Sequence, residues 1–433
     1  MPADTSLPPL RLGLAGLGTV GVGVVKIIQR QASLLSARTG RTLVISAVSA
    51  RTRDKDRGVR LGDYAWEDDP VALARRDDVD VFVEMMGGAD GPAKASVEAA
   101  LAAGKDVVTA NKAMLALHGQ ALATAAETKG AVVRFEAAVA GGIPVVKALT
   151  EGLAGNDMGR VMGVMNGTCN YILTRMEAEG LAYETVFEEA RALGYLEADP
   201  TLDVGGIDAG HKLALLASIA FGTQVNFNAM TLEGIERVEI ADIEAARDMG
   251  YRIKLLGVAQ MTGRGLEQRM TPCLVPAASP LGQLEAATNM VVLEGDAVGQ
   301  VVLRGAGAGE GPTASAVLSD ICDIARGIRV STFGQPAAQL TASQVAQDST
   351  PAPFYLRLAL QDKPGALAKV AAILGDAGVS IDRMRQYGHD LPVAPVLIVT
   401  HKCQRAALDQ ALAAMPATGV VDGAPVALRI ETV

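Results

Sequence analysis

The stretch Leu10-Arg-Leu-Gly-Leu-Ala15, followed directly by Gly16-Leu-Gly18-Thr-Val-Gly21, decides the fold class of this chain. An apolar strand-like run leads into a Gly-x-Gly-x-x-Gly turn, and an amphipathic segment follows. The first two glycines let the backbone approach a pyrophosphate, and the third lets the helix pack on the strand. Because the strand and the helix both flank the motif, it predicts a dinucleotide site rather than an ordinary glycine-rich turn.

Four more strand-like runs follow, with alanine-rich helical segments between them: 43–48, 79–83, 106–109 and 131–135. Strands that alternate with helices are typical of a parallel sheet. We therefore predict an α/β fold that begins with a Rossmann-like, NAD(P)-binding domain over residues 1–146. An apolar helix within about 305–335 is predicted to complete this domain.

The pattern then changes twice. Strand-like runs and longer helices predict an α+β substrate-binding catalytic domain over residues 147–304. Residues 336–353, rich in Pro, Ser, Thr and Gln, predict a linker. The tail, residues 354–433, shows the order βαββαβ and is predicted to fold as a separate unit, removable near Ser349 without loss of catalysis.

Composition excludes several classes of protein. The chain has 433 residues and a formal net charge of −9, which argues against a nucleic-acid surface. The four cysteines form no Cys-x-x-Cys, so neither a disulfide framework nor a zinc site is predicted. No run of about 18 apolar residues predicts a membrane span, and the N-terminus is not a secretory signal. We expect a cytoplasmic protein with no membrane partner.

The segment from Gly194 to Lys212 is the densest group of residues that can bind or transfer protons. Asp208 and Lys212 lie four residues apart at the start of a segment that is otherwise apolar to Phe221, so they share one face of a buried helix. A lysine at the mouth of such a helix, beside a carboxylate, suits proton transfer. A helix-start salt bridge without function is the alternative.

Two basic residues follow strands of the predicted parallel sheet. Arg51 stands where an acidic residue would indicate NAD, so it favours a cofactor with a 2′-phosphate. Lys112 follows Thr109-Ala-Asn111, and ligands of open parallel sheets lie beyond the carboxyl ends of the strands. We predict that Lys112 reaches the nicotinamide region. A solvated surface position is the alternative for either side chain.

Two further loops contain candidate binding groups. Glu136-Ala-Ala-Val-Ala-Gly-Gly-Ile143 combines one carboxylate with a series of main-chain oxygens, and oxygen ligands suit a hard cation. Asn166-Gly-Thr168 combines a turn dipeptide with a helix N-cap. Besides plain capping, this helix start can hold a substrate carboxylate.

Together these motifs resemble those of homoserine dehydrogenases, over nearly the whole chain. The matching stretches are Gly16–Gly21, Thr109–Lys112, Asn166–Tyr171 and, above all, Gly194–Lys212. The tail resembles an ACT domain, which senses threonine in this family, and the chain resembles the free-standing form without a kinase portion. The resemblance implies reversible reduction of L-aspartate 4-semialdehyde to L-homoserine, in threonine, methionine and isoleucine biosynthesis.

The resemblance also implies roles for individual residues. Lys212 matches the lysine that protonates the carbonyl oxygen, and Lys112 matches a second lysine near the reacting atoms. Glu197 and Asp208 match carboxylates that hold the substrate, with Thr168 at the helix start as a further substrate contact. The implied cofactor contacts are Leu17, Gly18, Thr19, Val20, Arg51, Lys105, Gly194 and Gly309. The implied ligands of sodium, or another monovalent cation, are Glu136, Val139, Gly141 and Ile143.

Several properties stay open at this stage. NADP is favoured, with NAD as the alternative. Threonine is the expected effector, and a homodimer or homotetramer is expected because ACT domains commonly pair. The alternatives to the implied enzyme are a related NAD(P)-dependent oxidoreductase acting on another small amino acid, and a non-catalytic nucleotide or amino-acid sensor. The intact residues Lys112, Lys212, Glu197 and Asp208 argue against the sensor.

Overall fold

The computed structural model describes residues 7–196, 199–346, 349–386 and 392–432. The chain divides into two compact units. The first unit comprises Met1–Gly167, Asp208–Met230 and Thr288–Ser343, and the second unit comprises Thr168–Ile207, Thr231–Ala287 and Gln344–Val433. Within the described ranges, none of the helices has the length and apolar character that a membrane crossing requires.

The strands in the described parts of the chain are named in chain order. They are β1 (Leu10–Ala15), β2 (Leu43–Ser49), β3 (Ala65–Glu67), β4 (Val81–Glu84), β5 (Asp106–Thr109), β6 (Val133–Arg134), β7 (Met158–Val164), β8 (Thr231–Leu232), β9 (Tyr251–Thr262), β10 (Gly265–Pro276), β11 (Thr288–Gly295), β12 (Gly299–Ala306), β13 (Phe354–Gln361), β14 (Ile381–Gln386), β15 (Val393–Thr400) and β16 (Val421–Ile430).

The α-helices of the same residues are named in the same way. They are α1 (Thr19–Thr39), α2 (Pro70–Arg75), α3 (Pro92–Ala102), α4 (Lys112–Thr128), α5 (Val145–Lys147), α6 (Gly167–Glu179), α7 (Tyr183–Ala192), α8 (Thr201–Val204), α9 (Ile207–Phe221), α10 (Ile240–Asp248), α11 (Glu310–Ala325), α12 (Ala366–Asp376) and α13 (Arg405–Ala414).

The first unit contains a six-stranded parallel sheet in the order β3-β2-β1-β4-β5-β6. Its central strands are apolar because helices cover both faces of such a sheet. The predicted Rossmann-like α/β fold is therefore confirmed. The sequence analysis missed β3, which has only three residues and shows too little alternation to be recognised. The first unit also contains an antiparallel group in the order β12-β11-β7.

Helix α11 packs on α1 in the first unit. A Cβ atom placed on Gly23 of α1 would lie 2.9 Å from the main-chain oxygen of Glu310 and 3.0 Å from the Cβ of Ala314. The Lys26 ammonium also pairs with the Glu310 carboxylate at 2.7 Å. The glycine allows this close approach. The helix predicted within 305–335 thus joins the core beside the glycine-rich turn.

The second unit contains a sheet in the order β9-β10-β16-β13-β15-β14, with β8 parallel to β10. The last four of these strands, with α12 and α13, form the predicted βαββαβ tail. Within the second unit, the tail also pairs with a preceding strand. Strand β16 pairs in parallel with β10, at Cys273↔Arg429 and Leu274↔Ile430.

Buried polar contacts reinforce this junction within the second unit. Arg269 of β10 pairs with Glu431 just after β16. Asp242 of α10 is fully buried and accepts hydrogen bonds from the Tyr355 hydroxyl at 2.9 Å and the Arg357 Nε at 2.7 Å. In the predicted linker, the amide and hydroxyl of Thr350 donate to Glu267 Oε2 at 2.9 and 2.8 Å. A strand was predicted at 268–276 within β10, but β9 and the pairing of β10 with the tail were not predicted from the sequence.

Candidate active site

The glycine-rich turn between β1 and α1 provides an open helix N-terminus. Gly16 has φ +99°, and a Cβ there would lie 2.5 Å from the Met85 carbonyl oxygen. A Cβ on Gly21 would overlap the carbonyl oxygen of Gly16, whereas a Cβ on Gly18 would meet nothing within 4 Å. The outer glycines therefore allow close backbone packing, and the middle one leaves space above the amides of α1. This arrangement fits a dinucleotide pyrophosphate.

The residues after β2 form a basic surface near this turn. Arg51 is exposed, two positions beyond the carboxyl end of β2. Arg57 donates from Nε to the Leu17 carbonyl oxygen at 3.2 Å, and the Arg53 and Arg57 guanidinium groups lie 5.9 and 5.8 Å from the ring centroid of Trp66. The place of Arg57 on this basic surface was not predicted from the sequence. The concentration of arginines after β2 was the only signal that could have revealed it.

Lys105, one of the predicted cofactor contacts, lies at a different edge of the sheet from the others. It lies directly before β5, at the amino edge of the parallel sheet, and its ammonium donates to the Arg76 carbonyl oxygen. Burial lowers the pKa of Lys105, against the opposing effect of Asp77. The glycine-rich turn and Arg51 lie at the carboxyl edge, and the lysine that flanks β5 at that edge is Lys112.

Buried hydrogen bonds shape the loops after β4 and β5. Glu84 is fully buried, and its carboxylate accepts from the amides of 86–87 at 2.7 and 3.1 Å and from the Thr109 hydroxyl at 2.6 Å. Asn111 caps α4 and donates from Nδ2 to the Gly88 carbonyl oxygen at 2.7 Å. Thr109 and Asn111 are thus mainly architectural, and they set Lys112 in the first turn of α4.

The structure brings together Lys112, Asp208 and Lys212. Lys212 Nζ donates to Asp208 Oδ2 at 2.6 Å and to the Met165 carbonyl oxygen at 2.8 Å. Lys112 Nζ lies 2.8 Å from the other carboxylate oxygen, Oδ1. The side chains of Asp208 and Lys212 are each 11% exposed, whereas Lys112 is 29% exposed. One buried carboxylate therefore bridges two ammonium groups, one on α4 and one on α9.

The charges of this cluster determine the state of the carboxylate. Burial by itself would favour the neutral acid, but the ammonium groups of Lys212 and Lys112 outweigh it and hold the pKa of Asp208 well below its usual range. Burial also lowers the pKa of His211, and the positive charges of Lys112 and Lys212 lower it further. Asp208 is thus ionised at neutral pH and fixes both ammonium groups.

The start of α6 holds the segment that follows α7, within the second unit. The Thr168 hydroxyl donates to the Tyr195 carbonyl oxygen at 2.9 Å, and the rings of Tyr171 and Tyr195 meet edge to face at 5.0 Å. The Cys169 thiol donates to the Asp203 carbonyl oxygen at 3.3 Å. Three residues of the Asn166–Tyr171 motif thus contact Tyr195 and Asp203.

The other predicted contact residues lie at three separate places in the chain. Gly194 is exposed and has φ +73°, a conformation that favours glycine, two positions after α7. Glu197 lies outside the described residues. Gly309 has φ +113° and is the N-cap of α11 in the first unit. Leu17 and Gly18 form the glycine-rich turn, and residues 19–20 begin α1.

In the loop predicted to bind a cation, the first residue, Glu136, is fixed by hydrogen bonds. Glu136 is buried, and its two carboxylate oxygens accept from the amides of Val146 at 3.0 Å and Lys147 at 2.8 Å. Its own amide donates to Asp320 at 2.8 Å. The carboxylate therefore caps α5, so any contribution to a cation from Glu136 competes with these two N–H donors.

The middle of this loop has an unusual backbone. Ala140 and Gly141 both have positive φ, at 54° and 53°. A Cβ on Gly141 would lie 2.5 Å from the Gly307 carbonyl oxygen. Among the described residues, no three His, Cys, Asp or Glu side chains form a metal-binding group. The main-chain oxygens near Val139 and Ile143 are the groups of this loop that suit coordination of a hard cation.

Comparisons with known proteins identify the family. Residues 16–136 match the family model "Homoserine dehydrogenase, NAD binding domain", residues 144–322 match "Homoserine dehydrogenase", and residues 354–415 match the ACT domain. A homoserine dehydrogenase of Neisseria gonorrhoeae is 42% identical over an alignment that covers 98% of this chain and 99% of that protein. The chain belongs to the homoserine dehydrogenase family.

Solved structures agree with the family and with the fold class. The homoserine dehydrogenase of Thiobacillus denitrificans has a TM-score of 0.92 and 39% identity, covering 98% of each chain. A hyperthermophilic archaeal homoserine dehydrogenase mutant, solved in complex with NADPH, has a TM-score of 0.62 and 27% identity, covering 73% of this chain and 97% of that chain.

The predicted family, fold class and activity are therefore confirmed. The protein is an NAD(P)-binding oxidoreductase of amino-acid biosynthesis that converts L-aspartate 4-semialdehyde to L-homoserine. Its ACT domain indicates allosteric regulation. The sensor and the oxidoreductase for another amino acid are set aside by relatives that match over almost the full length.

The buried acids of this homoserine dehydrogenase predict a pH-dependent stability. Burial and the nearby Asp320 raise the pKa of Glu136 to about 7, and burial raises the pKa of Asp320 to about 6. Both acids hold protons in the folded state at pH values where the unfolded chain has released them. Their contribution to stability is therefore present below about pH 4 and is lost as the pH rises through 6 to 7.

We expect the free energy of unfolding in sodium-free buffer to fall by on the order of 2 kcal/mol between pH 5 and pH 8 through these groups. Urea unfolding at each pH, compared between the unaltered chain and Glu136→Gln, measures it. The variant should show a shallower fall. Parallel profiles for the two proteins would contradict the assignment of the titration to Glu136.

Proposed function

We propose that Lys212 exchanges the proton with the reacting oxygen of the substrate, and that Lys112 supplies the second positive charge there. The observation that carries this proposal is the single buried carboxylate of Asp208, which holds both ammonium groups at 2.6 and 2.8 Å. Because a carboxylate shared in this way prevents the two lysines from moving apart, their charges are preorganised.

The chemistry requires such a group. The bound nicotinamide cofactor supplies the hydride for reduction of the aldehyde. The carbonyl oxygen of the substrate then gains negative charge, and Lys212 donates a proton to that oxygen. In the direction of homoserine oxidation, Lys212 takes the proton back from the hydroxyl. Lys112 stabilises the developing charge in both directions.

The amino-acid end of the substrate needs different partners. We assign its ammonium to Glu197 and its carboxylate to the helix start at Thr168, because the N-terminal end of a helix favours an anion. Asp208 is assigned the hydroxyl end, which agrees with its place between the two lysines. The support for Glu197 is its position in the family motif from Gly194 to Lys212.

NADP is proposed as the preferred cofactor. Arg51 is exposed at the carboxyl edge of the sheet, and the residues from the end of β2 to Arg53 contain no acid to bind a free ribose 2′-hydroxyl. The archaeal relative solved with NADPH supports the same choice. The other proposed contacts are Leu17, Gly18, Thr19 and Val20 at the pyrophosphate, and Gly194 and Gly309 toward the nicotinamide.

Replacing Arg51 with alanine should raise the KM for NADPH by about tenfold, because a charge-assisted phosphate hydrogen bond contributes about 1.5–3 kcal/mol. The KM for NADH should change much less, since NADH lacks the 2′-phosphate. Initial rates with each cofactor measure this, and Arg30→Ala on the exposed side of α1 serves as the matched control. Equal increases for both cofactors would mean that Arg51 does not discriminate between them.

A monovalent cation, with sodium as the first candidate, is proposed for the loop from Glu136 to Ile143. Its ligands would be oxygens of Glu136, Val139, Gly141 and Ile143, and carbonyl ligands without a thiolate or imidazole suit a hard ion. The positive φ values at Ala140 and Gly141 support this proposal, because strained backbone is often kept where a loop must present its carbonyl groups.

Adding sodium chloride should raise both the turnover and the unfolding temperature relative to choline chloride at equal ionic strength. The reason is that an ion bound only by the folded state stabilises it. Activity should survive EDTA. Loss of activity in EDTA that is restored by zinc would show that a transition metal, rather than a monovalent ion, is required.

Threonine is the proposed effector of the ACT domain, and a dimer or tetramer is the proposed assembly. The turn at 362–365 leads into α12 through Gly365, so the free amides of this helix start can receive an amino-acid carboxylate. The four cysteines are buried and are not joined in disulfides, which supports a reducing, cytoplasmic location. NADPH oxidation with L-aspartate 4-semialdehyde, measured with and without threonine, tests the effector, and light scattering measures the subunit number.

A further inference from the structure

A buried lysine lies beneath the start of α6 in the second unit. Lys254 projects from β9, and its side chain is among the largest that are fully buried in the described residues. Its ammonium donates to Asn170 Oδ1 at 2.9 Å and to the Leu284 carbonyl oxygen. The neighbouring positions of β9 are apolar, and an ammonium is costly to bury. A methionine would fill the same space without this cost.

The partner of this lysine belongs to the substrate motif. Asn170 lies within Asn166–Tyr171, is 1% exposed, and donates from Nδ2 to the Ala286 carbonyl oxygen at 2.7 Å. Ala286 has φ +56°, a left-handed conformation that is strained for a residue with a side chain. Lys254 and Asn170 therefore hold the loop 284–286 against α6 from both sides.

The charged groups around Lys254 do not compete for it. Glu177 of α6 and Glu285 of the same loop both face Arg252, at 3.1 and 3.3 Å. Burial lowers the pKa of Lys254 to about 8, and Glu177, the larger of the opposing effects, does not cancel it. The ammonium thus has Asn170 as its side-chain hydrogen-bond partner.

The connection to substrate binding runs through α6. On one side of Asn170, the Thr168 hydroxyl binds Tyr195 and the Cys169 thiol binds Asp203. On its other side, Tyr171 packs on the ring of Tyr195. A shift of Asn170 would move all three contacts, and with them Tyr195 and Asp203.

We propose that Lys254 is a positioning residue for substrate binding, acting through Asn170 on the start of α6. This inference rests on the proposed substrate roles of Thr168 and Glu197. The chemistry needs a cation rather than an apolar side chain because Asn170 uses its Nδ2 on the loop, and its Oδ1 then requires a donor from the core. Lys254 itself does not contact the substrate.

The variant Lys254→Met tests it. The KM for homoserine should rise about tenfold, as for loss of a charge-assisted hydrogen bond, while kcat changes less. The KM for NADP⁺ should change much less, because most of the proposed cofactor contacts, including the glycine-rich turn and Arg51, belong to the first unit. A merely structural role would lower the amount of folded enzyme and leave both KM values as they were. Lys94→Met on the surface of α3 is the matched control.

A double-mutant cycle with Asn170→Leu identifies the pathway. If Lys254 acts through Asn170, the double variant should have about the homoserine KM of either single variant, instead of the product of the two effects. An unchanged homoserine KM in folded Lys254→Met overturns the proposal. A double variant whose increase in homoserine KM equals the product of the two single increases also overturns it. If Lys254→Met does not fold, Asn170→Leu decides alone, and an unchanged homoserine KM there also overturns it.

The outcome separates this inference from the function on which it rests. Thr168→Ala and Glu197→Gln are measured beside the lysine variant. If neither raises the homoserine KM, the proposed substrate site is wrong, and the positioning role is overturned with it. If they raise it and Lys254→Met does not, the substrate site stands and only the positioning role is wrong.

Discussion

Replacing Lys212 with alanine is expected to lower kcat roughly 100-fold or more in both directions of the reaction. The reason is that Lys212 is the proposed partner of the proton that the reacting oxygen gains or loses. The KM for the cofactor should change little, because no predicted cofactor contact involves this side chain. Initial rates with aspartate semialdehyde and with homoserine, at saturating cofactor, measure the effect.

The geometry around Lys212 supplies the controls. Removing its ammonium leaves Asp208 still paired with the Lys112 ammonium, so the carboxylate stays charged and the fold should survive. An unfolding curve verifies this, and Lys94→Ala controls for removal of a lysine from a helix surface. Near-normal turnover by a correctly folded Lys212→Ala would refute the proton-transfer role. Lys112→Ala should then be tested as the proton donor in its place.

Ending the chain at Ser349 is expected to prevent stable folding, instead of giving an active enzyme without regulation. The deletion removes β13 to β16, and with β16 the strand that pairs with β10 at Cys273 and Leu274. It also leaves Arg269 without Glu431, and Asp242 without the Tyr355 hydroxyl. Breaking one buried ion pair costs about 3–5 kcal/mol, which is comparable with the whole stability of many domains.

The soluble yield and unfolding temperature of the shortened chain measure this effect, and threonine inhibition is measured in the full-length enzyme. Full-length Glu431→Gln separates the contribution of one ion pair from the loss of the entire sheet, and it should be destabilised but folded. A soluble deletion variant with full turnover and no response to threonine would contradict the prediction. It would instead support the independent tail that the linker-like composition suggests.

Local sequence was sufficient for the elements and for part of the site. The glycine-rich turn is recognisable because its three glycines have a fixed spacing between one strand and the helix that follows it. Asp208 and Lys212 were placed on one face because four residues make about one turn of helix. The order βαββαβ of the tail followed from alternation and turn residues. The fold class and the family motifs therefore depend on neighbours within a few positions.

Tertiary structure alone decided which distant groups meet. Lys105 and Lys112 flank the same strand, but the parallel sheet puts them at opposite edges, and only Lys112 lies beside Asp208. The pairing of β16 with β10 and the contact of Lys254 with Asn170 likewise join segments far apart in the chain. The physical reason is that periodicity specifies a backbone conformation and a buried face. The surface against which that face packs depends on long-range packing and on which buried charged groups form ion pairs or hydrogen bonds.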